Sequence, residues 1–151
     1  WTMQSGWHNL PQFDPDGAKY DQQPGAAFAA ADVTVTDALD GLAMDLAPAY
    51  GSVPGLGRYR RSVHLTDTGL TVHDETDYLG TVALTLMSVE KPAVDGDTVA
   101  FGALAAAAVT GADKIVTEAV PITDPRLRQA WPDTLYRTRI YFTRQLSLVI
   151  Q

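Results

Sequence analysis

Apolar side chains make up 46% of the 151 residues and charged ones only 19%, which supplies one domain with a core and excludes a disordered chain. Basic side chains number 11 against 18 acidic ones, for a formal net charge of −7, and this excludes the broad cationic face that nucleic acid requires. With no cysteine there are no disulfides, no thiolate chemistry and no Cys-based zinc site, and no apolar run approaches the about 20 residues that span a bilayer.

The chain starts at Trp1 rather than at a methionine, which reads as a processed or excised start with partner segments expected upstream. His8 follows in Gly6-Trp7-His8-Asn9-Leu10-Pro11. It is expected in a short strand, as a partly buried side chain that orients a local turn beside Trp1 and Trp7. Asp14 with Asp16, and later Asp95 with Asp97, flank glycine turns. Such aspartates are expected to cap their own backbone rather than to gather calcium.

Turn signals then recur at short intervals: Pro15-Asp16-Gly17, Gln23-Pro24-Gly25, Asp40-Gly41, Pro54-Gly55, Asp67-Thr68-Gly69, Asp95-Gly96-Asp97, Gly111-Ala112-Asp113 and Trp131-Pro132-Asp133. Between them lie short runs rich in Val, Thr, Leu and Tyr, at 33–36, 42–46, 58–66, 69–77, 81–89, 98–102, 115–120, 136–142 and 146–150. The alanine-rich 103–108 is read as a further strand because it is short and sits among strands. Residues 125–130 are the single helical turn expected. This punctuation predicts one all-β domain over 1–151, an antiparallel β-sandwich of about ten strands.

One hairpin can be read side chain by side chain. Strand residues alternate faces, so Tyr59, Arg61, Val63 and Leu65 share one face, and Leu70, Val72 and Asp74 share one on the return. With Leu65 opposite Leu70, Val63 meets Val72 and Arg61 meets Asp74. The face carrying four aliphatics is expected to be the buried one. A buried arginine needs a partner, which predicts an Arg61–Asp74 ion pair of structural rather than catalytic role. The other face carries Arg60, Ser62 and His64 against Thr71, His73 and Glu75 and is expected to be wetter. His64 and His73 are read there as solvated surface histidines.

No Gly-x-Ser-x-Gly elbow and no phosphate-cradling glycine loop is present. The tyrosines at 20, 50, 59, 78, 136 and 141 include no residue that its neighbours mark as an acid or base. No catalytic residue is assigned.

A resemblance emerges from particular segments. Trp7-His8-Asn9-Leu10-Pro11, the Asp16-Gly17 turn and Gln22 resemble the "His-Asn-Thr, turn, Gly, Gln" segment of heparinase II/III-like polysaccharide lyases. An Ala/Val/Thr strand follows, then one ending in Ala49-Tyr50. Tyr59-Arg60-Arg61-Ser62-Val63 and Gly69-Leu70-Thr71-Val72-His73-Asp74 are similar to that family's "Arg-Ser-Val … Val-Val-Asp" hairpin. Trp131-Pro132 with Leu135-Tyr136-Arg137 is similar as well.

The resemblance implies a C-terminal β-sandwich of supersandwich type, inactive alone, in a protein that cleaves uronic-acid-containing polysaccharide by β-elimination. It implies an N-terminal α/α-toroid as partner, acidic polysaccharide as the substrate of the full-length protein, and a periplasmic or secreted location. In several members the sandwich binds zinc, and the His of the His-Asn segment, here His8, is one ligand. The co-ligands belong to a His-x-His strand and an Asp upstream of the point where this chain begins. Leu10 replaces the usual Thr, and His64 and His73 do not match the ligand positions. Zinc is therefore expected in the full-length parent and not in this chain.

Two other readings stand beside it. One is a stand-alone carbohydrate-binding or protein-interaction sandwich that stacks sugars on Trp1, Trp7 and Trp131. The other is an assembly domain that forms a homodimer through an apolar strip exposed where a toroid would pack. Neither nucleic acid nor membrane is an expected partner.

Overall fold

The computed structural model describes residues 4–151. It is all-β, with two antiparallel sheets packed as a sandwich. The strands are β1 (Pro11–Phe13), β2 (Ala31–Val35), β3 (Gly41–Asp45), β4 (Tyr59–Thr66), β5 (Gly69–Thr76), β6 (Val82–Ser88), β7 (Ala93–Asp95), β8 (Thr98–Phe101), β9 (Ala105–Thr110), β10 (Lys114–Pro121), β11 (Thr134–Phe142) and β12 (Gln145–Ile150). One sheet runs β1-β6-β11-β10, and the other runs β2-β3-β4-β5-β12-β9-β8-β7. Three 3-10 turns, Ser5–Trp7, Ala47–Tyr50 and Leu127–Gln129, complete the described elements.

Among the described residues there are twelve strands rather than about ten. The two that the pattern missed, β1 and β7, have three residues each, too few to show a period of two. The alanine run is β9, and the expected turn at 125–130 is the 3-10 turn Leu127–Gln129.

The core lies between the sheets. Phe13, Tyr59, Val82, Leu84, Val99, Ala107, Ile140, Phe142, Leu146 and Leu148 are almost wholly buried. Phe13 is its aromatic hub, with edge-on contacts to Tyr50, Tyr59 and Tyr78 at centroid distances of 4.9, 5.6 and 5.3 Å. Such pairs add about 0.5–1.5 kcal/mol each beyond area burial.

The β4–β5 hairpin has the register that alternation dictates: Leu65 opposite Leu70, Val63 opposite Val72, Arg61 opposite Asp74. Its core face is not uniformly buried, however. Tyr59 and Asp74 are fully buried, Val63, Leu70 and Val72 half-buried, and Leu65 is 58% exposed. Four strands cannot cover eight, because each strand adds only about 4.8 Å of sheet width. The β2–β3 wing and the turn end of the hairpin extend past the smaller sheet, and Val33, Val35 and Leu65 are exposed there.

Candidate functional site

The buried charge is the foundation of the site. Arg61 Nε and Nη2 donate to Asp74 Oδ1 and Oδ2 at 2.7 and 2.6 Å. The Tyr59 hydroxyl donates to Asp74 Oδ2 at 2.7 Å. Asp74 is fully buried and Arg61 only 8% exposed. A two-pronged, fully bonded pair offsets the desolvation of both ions. Burial alone would lower the Arg61 pKa, but the hydrogen bonds and charge of Asp74 outweigh it and the net shift is upward.

Another donor of Arg61 serves a different task. Its Nη1 donates to the Asn9 carbonyl oxygen at 2.7 Å. The buried pair therefore holds the His8-Asn9 segment. The start of that segment is fixed by Asp21, which accepts from the Ser5 hydroxyl and the Gly6 amide at 2.8 Å each and from Gln12 Nε2 at 3.1 Å. The Gly6 carbonyl in turn accepts from Arg137 Nη1 at 3.1 Å. A Cβ on Gly6 would lie 2.7 Å from Gln12 Nε2, so a side chain there would have to displace the amide that Gln12 gives to Asp21.

These anchors place Trp7 against the outer face of the smaller sheet, with the Arg137 guanidinium 3.8 Å from its ring centroid. His8 lies in a turn and is exposed. The expectation of a partly buried His8 in a short strand is thus corrected: the chain is still turning out of the 3-10 helix at that point, and pairing starts only at Pro11.

Trp7, His8 and Asn9 form one wall of a cleft of about 640 Å³. Met87 at the end of β6, Val89 and Glu90 just beyond it, Leu104 and Ala105 at the start of β9, Leu135, Ile150 and Trp131 are among the residues that complete it. The lining is mostly apolar. Leu104 and Val89 are 86% and 61% exposed, and Trp131 is 39% exposed. The fold thus brings together three residues singled out from sequence, Trp7, His8 and Trp131, and ties the Arg61–Asp74 pair to the cleft through the Asn9 carbonyl. Trp1 lies outside the described residues.

His64 and His73 sit elsewhere, on the exposed outer face of the larger sheet, with His73 Nδ1 2.8 Å from the Ser147 hydroxyl. Asp14 caps its own turn through the Ala18 amide at 2.7 Å. Asp16 instead accepts from the Tyr141 hydroxyl at 3.1 Å.

Sequence reasoning missed Glu90, Leu104 and the Trp7–Arg137 stack. The alternation of Arg137, Arg139 and Tyr141 along β11 was the available signal. It marks an outer face that carries cations and an aromatic ring.

Tyr59 and Tyr50 are buried and pinned, the latter donating to the Pro11 carbonyl at 2.6 Å. Burial, the largest effect on each, pushes both hydroxyls far above the ordinary tyrosine value, so neither accepts a proton near neutrality. Zinc does not fit His8 with the donors at hand: among the described residues no group of three His, Asp or Glu side chains could hold a metal, and a structural zinc takes about four ligands. No protein-family model matches the chain, and no curated protein sequence matches it.

Proposed function

We propose that this chain is the non-catalytic β-sandwich of a heparinase II/III-like polysaccharide lyase, the part that supports the substrate cleft of an adjoining toroid. The observation that carries this reading is the 2.7 Å hydrogen bond from Arg61 to Asn9. The His8-Asn9 segment and the Arg61/Asp74 hairpin are the two most distinctive parts of the resemblance, and they are far apart in the chain. A bond between them gives both a shared structural purpose, which is to shape one wall of the cleft. In this reading the apolar residues around Leu104 and Val89 are where a toroid packs. His8 contributes one metal ligand only when upstream donors are present.

The test is eliminative cleavage of uronic-acid polymers, followed by absorbance of the new double bond. The isolated chain should produce none, and the full natural reading frame, with a helical domain upstream, should produce it. Cleavage by the 151 residues alone, or a natural reading frame without a helical domain, would overturn the reading.

One observation favours a second reading, a carbohydrate-binding sandwich. Trp7 and Trp131 line the same cleft, and aromatic faces with nearby polar groups stack sugar rings. Saturable quenching of tryptophan fluorescence by neutral and acidic oligosaccharides, lost in Trp131→Ala, would favour it.

A further inference from the structure

Sheet edges display unpaired peptide groups, and proteins protect them by shortness, bulges, covering segments, proline or charged side chains. Three of the four edges here are short or bulged. β1 and β7 have three residues each, and Phe13 at the end of β1 bridges to Tyr20. β2 changes register against β3 between Ala31 and Thr34, and Asp32 there has a left-handed φ of 50°. Among the described residues β10 is neither short, bulged within its length nor covered, and its devices are the charges of Lys114 and Glu118 and its final residue, Pro121. It runs for eight residues in unbroken register with β11 and, among the described residues, has a ladder neighbour on one side only.

The polarity of that edge follows from one bond. Just beyond β10 the Ile122 amide donates to the Asp133 carbonyl at 2.9 Å, and these residues continue the β10–β11 register. Hydrogen-bonded pairs alternate along an antiparallel ladder. Even-numbered residues of β10 therefore bond β11, and the peptide groups of Ile115, Thr117 and Ala119 point away from the sheet.

We infer that β10 is a homodimer interface, pairing antiparallel with β10 of a second copy to form a continuous eight-stranded sheet. Val116 then lies opposite its own symmetry mate on the outer face. Lys114 lies opposite Glu118 of the second copy, and Glu118 opposite Lys114, so the strand is complementary to itself in charge. The outward peptide groups of Ile115 and Thr117 bond each other across the two-fold axis. This isologous arrangement is closed and cannot propagate into a fibre.

The two charged side chains are placed for it. Lys114 is exposed, its ammonium 4.8 Å from the Tyr141 ring centroid. Glu118 accepts from Arg137 Nε at 2.6 Å and is 39% exposed. A carboxylate has about four acceptor sites, so it can take a further donor. The inference is independent of the lyase reading and does not use the cleft.

Sedimentation equilibrium of the full 151-residue chain tests it, with circular dichroism and thermal melting as folding controls. The wild type should be a dimer at high micromolar concentration. Thr117→Pro removes an outward amide without breaking a bond to β11 and should give a folded monomer. Lys114→Glu turns two attractive cross-strand pairs into repulsive ones and should weaken dimerisation about tenfold or more. In the wild type the Thr117 amide should exchange more slowly at high protein concentration than at low. A monomeric wild type overturns the inference. So does a dimer that survives both substitutions, or one lost only in Leu104→Asp at the cleft mouth.

Discussion

Arg61 and Asn9 are 52 residues apart and joined by a 2.7 Å hydrogen bond from the guanidinium to the backbone carbonyl. The same guanidinium grips the fully buried Asp74 with two other nitrogens. A surface wall and a core charge are thereby one mechanical unit. The cleft does not need its own rigid scaffold, because the hairpin tied to it is already held by the burial of the ion pair.

Arg61→Met should destabilise the fold by about 3–5 kcal/mol, since it strands the Asp74 carboxylate in the core without its cation, held by the Tyr59 hydroxyl. Adding Asp74→Leu to that variant should recover much of the loss, because no buried charge remains. Urea unfolding measures both. Recovery of stability should not restore the wall: backbone amides near Asn9 should exchange faster in the double variant than in the wild type. Equal protection there would mean that Arg61 has no positioning role.

Alkali should unfold the protein through Tyr50 and Tyr59. They are 1% and 0% exposed, and burial, joined for Tyr59 by the charge of Asp74, raises both hydroxyls. An acid whose pKa is higher folded than unfolded gives stability that is fully present below its unfolded value and lost as pH rises above it. The unfolded value is about 10. Stability should therefore be insensitive to these groups below about pH 10 and then fall by about 1.4 kcal/mol per pH unit for each. Tyr50→Phe should cost about 1–3 kcal/mol at neutral pH by leaving the Pro11 carbonyl without its hydroxyl donor, yet show a shallower alkaline decline. An unchanged slope would assign the transition to other groups.

What the sequence disclosed depended on how local the cause was. The β4–β5 register was legible because a two-residue turn at Asp67-Thr68 and a period of two leave one alignment that pairs Arg61 with Asp74. The exposure of Leu65 was not legible, since it depends on one sheet being wider than the other. The position of His8 was misread for a similar reason: the turn before it is held by Asp21, whose carboxylate caps Ser5 and Gly6 from the far side of β1. Trp7 and Trp131 stood out singly as large aromatics. Only the fold, which brings the ends of β6 and β12 and the start of β9 together, makes them one cleft.

The two cleft tryptophans should differ in energetic weight. Trp7 covers the Arg137 guanidinium at 3.8 Å and packs against the small cluster of Val120, Ile122 and Leu135. Trp7→Ala should cost about 2–4 kcal/mol, combining lost burial with a cation–π contact. Trp131 is 39% exposed, and Trp131→Ala should cost about 1 kcal/mol or less. Chemical denaturation of the two variants compares them directly. Equal costs would show that Trp131 belongs to the core rather than to the cleft rim.

Gly111, between β9 and β10, should tolerate no side chain, and two controls separate the reasons. Its φ is +88°, a conformation that side chains disfavour, and a Cβ there would lie 2.6 Å from the Gln145 carbonyl oxygen. Gly55 and Gly96 also have positive φ, +77° and +54°, but a Cβ on either meets nothing within 4 Å. Gly55→Ala and Gly96→Ala should therefore cost only the backbone term, about 1 kcal/mol each. Gly111→Ala should cost about 2–4 kcal/mol, because the backbone of β12 must also give way to relieve the overlap. That overlap falls where β9 leaves the larger sheet to start β10 in the smaller one, so amide exchange should rise at the Gln145 end of β12 in this variant alone. If all three substitutions cost the same, the approach of Gln145 is relieved at no expense and the crossing between sheets is more pliant than its geometry indicates.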